Sequence, residues 1–335
     1  MATVAVTPEQ IENAVCAMLV TGGADEANAT SVARVLAAAE ATGNKSCGLY
    51  YAPMFFEQMR LGKVDGRATP DVARCGAAVL VDARCGFAHP AIEAGLPHLL
   101  EAASEHGIAA LAVRNSYNCL ALADHVMPIA ARGLIGICVA NAPASVAPPG
   151  ARTPLVGTNP IAFAAPAPDG GMIVVDQGMS VATKTEIILR KMRAEPIPVG
   201  WAQDSSGQPT TDPHAGLAGA LLASGGQKGA NIALLVEILA AALTGSNLST
   251  EASGFSDAAG GPARVGQFIL AIEPNRFSDG FSGSIERLAA SYRLAGVRLP
   301  GKKRILPERV DVDADLWHRI GMLATAAGSV TVGAA

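Results

Sequence analysis

The order in which helical and strand-like patterns follow one another constrains this chain more than any one motif. Residues 7–41 read as two helices broken at "GGAD". Thr7 is placed to cap the first, with Pro8 at its first position and Glu9 and Gln10 in its first turn. The second, "DEANATSVARVLAAAEATG", keeps apolar residues near a 3.6 period and stops at Gly43. "MFFEQMRLGK" predicts a further helix, and "RATPDVARCGAAVLVDARCG" predicts strands split by turn residues. A helix over 89–107, a strand over 108–116, a helix over 117–133 and a strand over 134–142 follow. Beyond a loop at 142–160 come two short strands, a charged helix from near Val181, and a turn-rich connector over 195–213. The rest holds an apolar helix in "GGQKGANIALLVEILAAALTG", a strand "VGQFILAIEP" and a helix "SGSIERLAASYRLAG". This mixed order lacks the regular alternation of a doubly wound sheet, and no strand runs into GxGxxG, so a Rossmann site is not supported.

Composition narrows the class. Half of the 335 residues are apolar, 16% are charged and the net charge is −4, which gives no electrostatic case for nucleic acid or a membrane surface. So few charges on so apolar a chain also predict surface hidden in an oligomer. No run reaches the ~18 apolar residues of a membrane span, and "MATVAVTPEQIENAV" has neither a basic nor an apolar leader region, so a cytoplasmic protein is expected. Six scattered cysteines without CxxC spacing read as free thiols, and six dispersed histidines indicate no metal site.

The stretch "GNKSCGLYYAP" has the look of a reactive loop: a turn, the hydroxyl of Ser46, the thiol of Cys47, a glycine, then Tyr50 and Tyr51. The same residues read equally as packing, because cysteine is among the most buried residue types.

Several ordered stretches together are specific: "KVDGRATPDV", "NAPASVAPPGARTPLVGTNPIAFAAP", "VVDQ", "EPIPVGWAQDSSGQPTTDP", "GGQKGANIALLVEILAAALTG" and "LPGKKR". From about residue 8 to 310 the chain resembles the malate/L-lactate/sulfolactate dehydrogenase family, most of all its Δ1-piperideine-2-carboxylate/Δ1-pyrroline-2-carboxylate reductase branch. The resemblance implies a mixed α/β, non-Rossmann malate/lactate dehydrogenase-like fold with a largely antiparallel nucleotide-binding sheet. It implies a helix-rich subdomain from residues 1–75 and about 205–335, and a central sheet subdomain over about 76–204. It also implies reduction of 2-oxo acids or cyclic ketimine acids with NADPH or NADH, by a homodimer.

The resemblance assigns site residues, and here the chain departs from the family. The family's loop has Ser-His-Gly with an arginine four residues after the histidine; here Ser46 is kept, and Cys47 and Tyr51 stand for the proton-donating histidine and the carboxylate-binding arginine. Glu186 falls at the third relay position, and Thr158 at a substrate contact. The cofactor positions are Leu120, Ala121, Leu122, Ala123 and Asp124, then Asp176, Gln177 and Gly178, then Gln227 and Lys228, and finally Lys302, Lys303 and Arg304. Leu120 and Ala123 replace glycines, Asp124 and Gln227 replace histidines, and Gly178 and Met179 replace small or hydroxyl residues. A leucine hinders close approach of a dinucleotide to the backbone, and an aspartate repels a phosphate.

Three readings stay open from the sequence. One is a diverged NAD(P)H-dependent reductase of an imine or carbonyl in a small amino-acid-derived substrate. Another is a non-redox enzyme on the same scaffold, using Cys47 as acid, base or nucleophile for cyclisation, elimination or hydrolysis. The third is a non-catalytic homologue.

Overall fold

The first helix begins where the sequence places it. After strand β1 (Thr3–Val6), helix α1 (Pro8–Thr21) opens on Thr7, whose hydroxyl accepts from Gln10 N at 3.1 Å while the Gln10 side chain accepts from Thr7 N at 2.8 Å. This reciprocal cap satisfies donors that a helix start leaves orphaned, and Pro8 sits where no N–H is needed. Asp25 caps α2 (Glu26–Ala41), accepting from Asn28 N at 2.7 Å, and α3 (Ala52–Arg60) follows the 43–53 loop. The structure is a computed structural model and describes residues 2–301 and 307–325.

The chain then enters its main sheet. Strands β2 (Asp71–Cys75) and β3 (Ala78–Asp82) lead to α4 (Ala88–His106), β4 (Ile108–Ser116), α5 (Ala123–Ala130) and β5 (Ile135–Ala140). Next come β6 (Val146–Ala147), β7 (Ile161–Pro166), β8 (Met172–Gln177), α6 (Lys184–Met192), β9 (Ala202–Gln203) and β10 (Pro209–Thr210). The last described elements are α7 (Pro213–Ala218), β11 (Ala220–Leu222), α8 (Gln227–Glu237), β12 (Val265–Ile272), α9 (Phe281–Leu294), β13 (Val310–Asp313) and α10 (Ala314–Thr325).

Seven strands form the large sheet in the order β2-β3-β4-β12-β5-β7-β8. Only the β3–β4 pair is parallel, so the sheet is largely antiparallel, as the resemblance implies. Helices α4 and α5 cover the sheet, enclosing Val79, Val81, Leu111, Val113, Cys138 and Ile269, all at most 1% exposed. A smaller sheet, β10-β9-β11-β6, forms beside α6, α7 and α8. The two ends of the described chain meet where β1 pairs antiparallel with β13, and α1 packs on α2 and α10 over a second core that includes Ile11, Leu36, Phe55 and Val312.

Two expectations are corrected. Strand β12 lies in the middle of the sheet, between β4 and β5, although it falls within the 205–335 segment expected in the helix-rich part. Both neighbours precede it in sequence, and an apolar run identifies a strand but not its partners. The helix expected over 117–133 is confined to Ala123–Ala130, because the backbone of Leu120 is left-handed, at φ +55°, and 117–122 run as an irregular loop. Among the described residues no helix is long and apolar enough to cross a membrane.

Candidate active site

A cavity of about 990 Å³ opens where these parts meet. Its walls come from the 42–54 segment, the 118–124 loop, residues 140–145, strand β8, the start of α6, and residues 254–256 and 298–301.

The 43–53 loop is held from behind. Glu40, 5% exposed on α2, accepts from Leu49 N at 3.0 Å and lies 3.4 Å from Lys45 Nζ. A Cβ at residue 48 would come within 2.3 Å of the Glu40 carboxylate, so any larger residue there would have to push that side chain aside. The loop turns Ser46, Cys47, Tyr50 and Tyr51 onto the cavity. Ser46 Oγ donates to Asn44 Oδ1 at 2.9 Å. Burial pushes the Cys47 thiol up to about 12; the negative charges of Asp176 and Asp124 act in the same direction, against hydrogen bonds from Ser46 and Asn44. Tyr51 shares a hydrogen bond of 2.9 Å with the Thr185 hydroxyl, and burial raises its phenol to about 12. Its ring stands edge-on to Tyr50, at 5.6 Å between centroids. A neutral aromatic therefore fills the place where the resemblance puts a carboxylate-binding cation.

The 118–124 loop supplies another wall. Asn118 Oδ1 accepts from Leu120 N at 3.0 Å and holds the turn in which Leu120 takes its left-handed backbone. Leu120, Ala121, Ala123 and Asp124 line the cavity, whereas Leu122 is fully buried beneath it. Asp176, at the end of β8, accepts from Ala123 N at 2.9 Å; burial raises its carboxyl, opposed by the Ala123 and Leu122 amides. It faces the cavity with Gln177, Gly178 and Thr158.

Other expected residues lie elsewhere. Glu186 does not line this cavity. Its carboxylate accepts from Thr183 N at 2.7 Å and Thr183 Oγ1 at 3.0 Å, closing the cap of α6, and Thr185 is the residue that meets Tyr51. The signal was present: "TKTE" is a capping box, which ties its glutamate to its own helix start. Gln227 donates to Asn231 Oδ1 at 2.8 Å on α8 and lines neither cavity described here. Lys228 faces a second cavity of about 470 Å³, together with Glu186, and Gln177 and Gly178 border both spaces. Lys302, Lys303 and Arg304 lie outside the described residues.

Sequence reasoning missed Asn118, Lys184, Thr185, Phe255 and Arg298, all of which line the large cavity. Lys184 and Arg298 are its only lysine or arginine among the described residues, and neither is in an ion pair among them. Among the described residues no three His, Cys, Asp or Glu side chains gather as a metal-binding group.

Chemically, the arrangement offers neutral donors beside negative charge. With its pKa raised to about 12, Cys47 at pH 7 is thiolate to roughly one part in 10⁵. It can give a hydrogen bond but is a poor nucleophile and a weaker acid than a histidine.

Comparison with known proteins matches residues 6–312 to the family described as malate/L-lactate dehydrogenase. The chain is 41% identical over 292 residues to a Δ1-pyrroline-2-carboxylate reductase of Ancylobacter novellus, covering 85% of this chain and 86% of the relative. It is 40% identical over 296 residues to a (2R)-3-sulfolactate dehydrogenase (NADP(+)) of Chromohalobacter salexigens, covering 88% and 89%. Among solved structures, a Δ1-piperideine-2-carboxylate reductase from Pseudomonas syringae superposes with a TM-score of 0.86 at 33% identity, covering 96% of this chain and all of that one.

Proposed function

Because this chain belongs to the malate/L-lactate dehydrogenase family, we propose that it is a nicotinamide-dependent reductase whose substrate is a small, amino-acid-derived cyclic imine, taken in its protonated form. The observation that carries the choice of imine over carbonyl is the setting of Cys47. Reduction of a carbonyl to an alcohol needs a proton from the site, and Cys47 and Tyr51 both hold theirs tightly. A protonated imine brings its own proton, and its positive charge suits a wall that carries Asp176 and Asp124. Lys184, on the same cavity and next to the Thr185 that meets Tyr51, offers a charge for a carboxylate on the substrate.

The cavity suits NADPH or NADH in size and lining, since Gly170 and Gly171 present backbone on it and Arg298 offers a cation for phosphate. The 120–124 and 176–178 segments and Arg298 would hold the cofactor. When bound, the nicotinamide supplies the hydride that reduction requires. The chain's own residues bind and orient: Ser46 and Cys47 present neutral hydrogen-bonding groups, Asp176 favours the cationic substrate, and Tyr50, Tyr51, Met54 and Phe255 exclude water. The thiol's high pKa favours reduction over covalent catalysis by Cys47. The same reading makes the protein a homodimer, because Ile232, Leu234, Leu235, Ile238 and Leu243 are all exposed over residues 232–243.

The test is nicotinamide consumption with Δ1-piperideine-2-carboxylate and Δ1-pyrroline-2-carboxylate against pyruvate and 3-sulfopyruvate. The proposal expects kcat/KM for an imine to exceed that for either 2-oxo acid by roughly 100-fold or more, the span of a general-acid contribution. Faster reduction of a 2-oxo acid would overturn it.

A further inference from the structure

Lys63 lies just past the end of α3 and is 1% exposed. A lysine this buried needs partners for its charge and for all three of its donors. It finds them in one loop: Nζ donates to the carbonyl oxygens of Gly254 at 2.7 Å, Ala259 at 2.8 Å and Asp257 at 2.9 Å. The Asp257 carboxylate stands 3.7 Å away, half exposed, and Gln58 Nε2 also donates to Asp257 O at 2.8 Å. The ammonium thus sits among converging carbonyls much as a bound cation would.

The loop it gathers, residues 253–261, has no helix or strand of its own, so its carbonyls depend on such partners. Gly254, Phe255 and Ser256 from this loop line the large cavity. Phe255 stands edge-on to Tyr117 at 5.1 Å, and Tyr117 Oη donates to Phe255 O at 3.3 Å. Tyr117 packs on Phe55 at 5.4 Å, and Phe55 on Tyr51 at 5.9 Å. A continuous row of rings therefore joins the Lys63-bound loop to the loop that carries Cys47.

We propose that Lys63 is a positioning residue: through Gly254, Asp257 and Ala259 it fixes Phe255 and Ser256 as the wall of the substrate site. The inference rests on the imine-reductase reading for the identity of the substrate, but not for the state of the loop. Lys63→Met keeps an unbranched side chain, one atom shorter, and removes all three bonds; Lys63→Gln keeps donors for at most two. Phe255→Leu alters the wall and leaves the three Lys63 hydrogen bonds, all to backbone oxygens, in place.

The experiment combines amide hydrogen exchange over 253–261 with steady-state kinetics on Δ1-piperideine-2-carboxylate and NADPH. Exchange in the loop should rise at least ~10-fold in Lys63→Met and less in Lys63→Gln, with the strands of the large sheet unchanged. KM for the imine should rise ~10-fold in Lys63→Met with KM for NADPH within about 2-fold, and Phe255→Leu should raise the imine KM without faster exchange. In the double variant the two KM effects should be less than multiplicative. Unchanged loop exchange in Lys63→Gln or Lys63→Met overturns the proposal, as does an equal rise in both KM values. If no imine is turned over by the wild type, the imine-reductase reading fails, and loop exchange still decides whether Lys63 fixes the wall.

Discussion

Leu120 is a leucine in a conformation that favours glycine, and replacing it separates backbone strain from side-chain packing. Its φ is +55°, and its side chain, 9% exposed, packs in the helical core while lining the cavity. Truncating a buried leucine to alanine costs about 2–5 kcal/mol, and the lower half applies here because part of the side chain faces open space. Leu120→Ala keeps the left-handed strain, which costs an L-residue about 1–2 kcal/mol. Leu120→Gly removes it but adds about 0.5–1 kcal/mol of unfolded-chain entropy. The glycine variant should therefore be more stable than the alanine variant by about 0.5–1 kcal/mol, although both are less stable than the wild type. Urea unfolding at matched slopes measures this order. It would be refuted by an alanine variant as stable as the glycine variant. The same Leu120→Gly change opens the wall expected to meet the cofactor, so NADPH should bind ~10-fold tighter by fluorescence titration, a gain of about 1.4 kcal/mol.

Three further predictions follow from burial and charge. His89 and His125 are buried with rings 5.4 Å apart, and burial lowers them to about 3 and about 4, so both fold neutral. The unfolded chain protonates these groups near pH 6.5; their contribution is complete above that value and is lost as pH falls toward 4, by up to about 1.4 kcal/mol per histidine per pH unit. His89→Leu should flatten the loss of urea stability between pH 7 and 5, and an unchanged slope would refute this. Cys47 should react with iodoacetamide roughly 10³-fold more slowly than an ordinary thiol at neutral pH, as read by peptide mass spectrometry against exposed Cys75, and Asp176→Asn should speed it. Leu235→Asp with Ile238→Asp should convert a dimer to a monomer by sedimentation; a wild-type monomer would dismiss the interface.

What the sequence revealed divides along a physical line. Caps and apolar periods act within a few residues, so Thr7, Pro8 and the break before Asp25 were readable, as were most strands. Strand order depends on contacts between distant segments, and β12 was accordingly misplaced. Leu120 hid its left-handed turn because leucine carries no turn signal; the hints were the nearby Asn118 and the glycine that the resemblance puts at this position. Ser46, Cys47, Tyr51, Thr158 and Asp176, which the resemblance named, line one cavity, but one-dimensional matching could not tell that Glu186 turns back onto Thr183. Nothing in the sequence marked out the role of Lys63, because its partners lie nearly two hundred residues away.

The most direct test of the central claim, that the substrate brings its own proton, is the effect of Cys47→Ala on imine reduction. Loss of a true proton donor costs about 10²–10⁴-fold in turnover. If the substrate is a protonated imine and Cys47 only a neutral hydrogen-bonding group, kcat for Δ1-piperideine-2-carboxylate should fall by less than about 10-fold, the worth of one neutral hydrogen bond. A fall of 10²-fold or more in a variant that folds like the wild type would contradict the account and make Cys47 the proton donor.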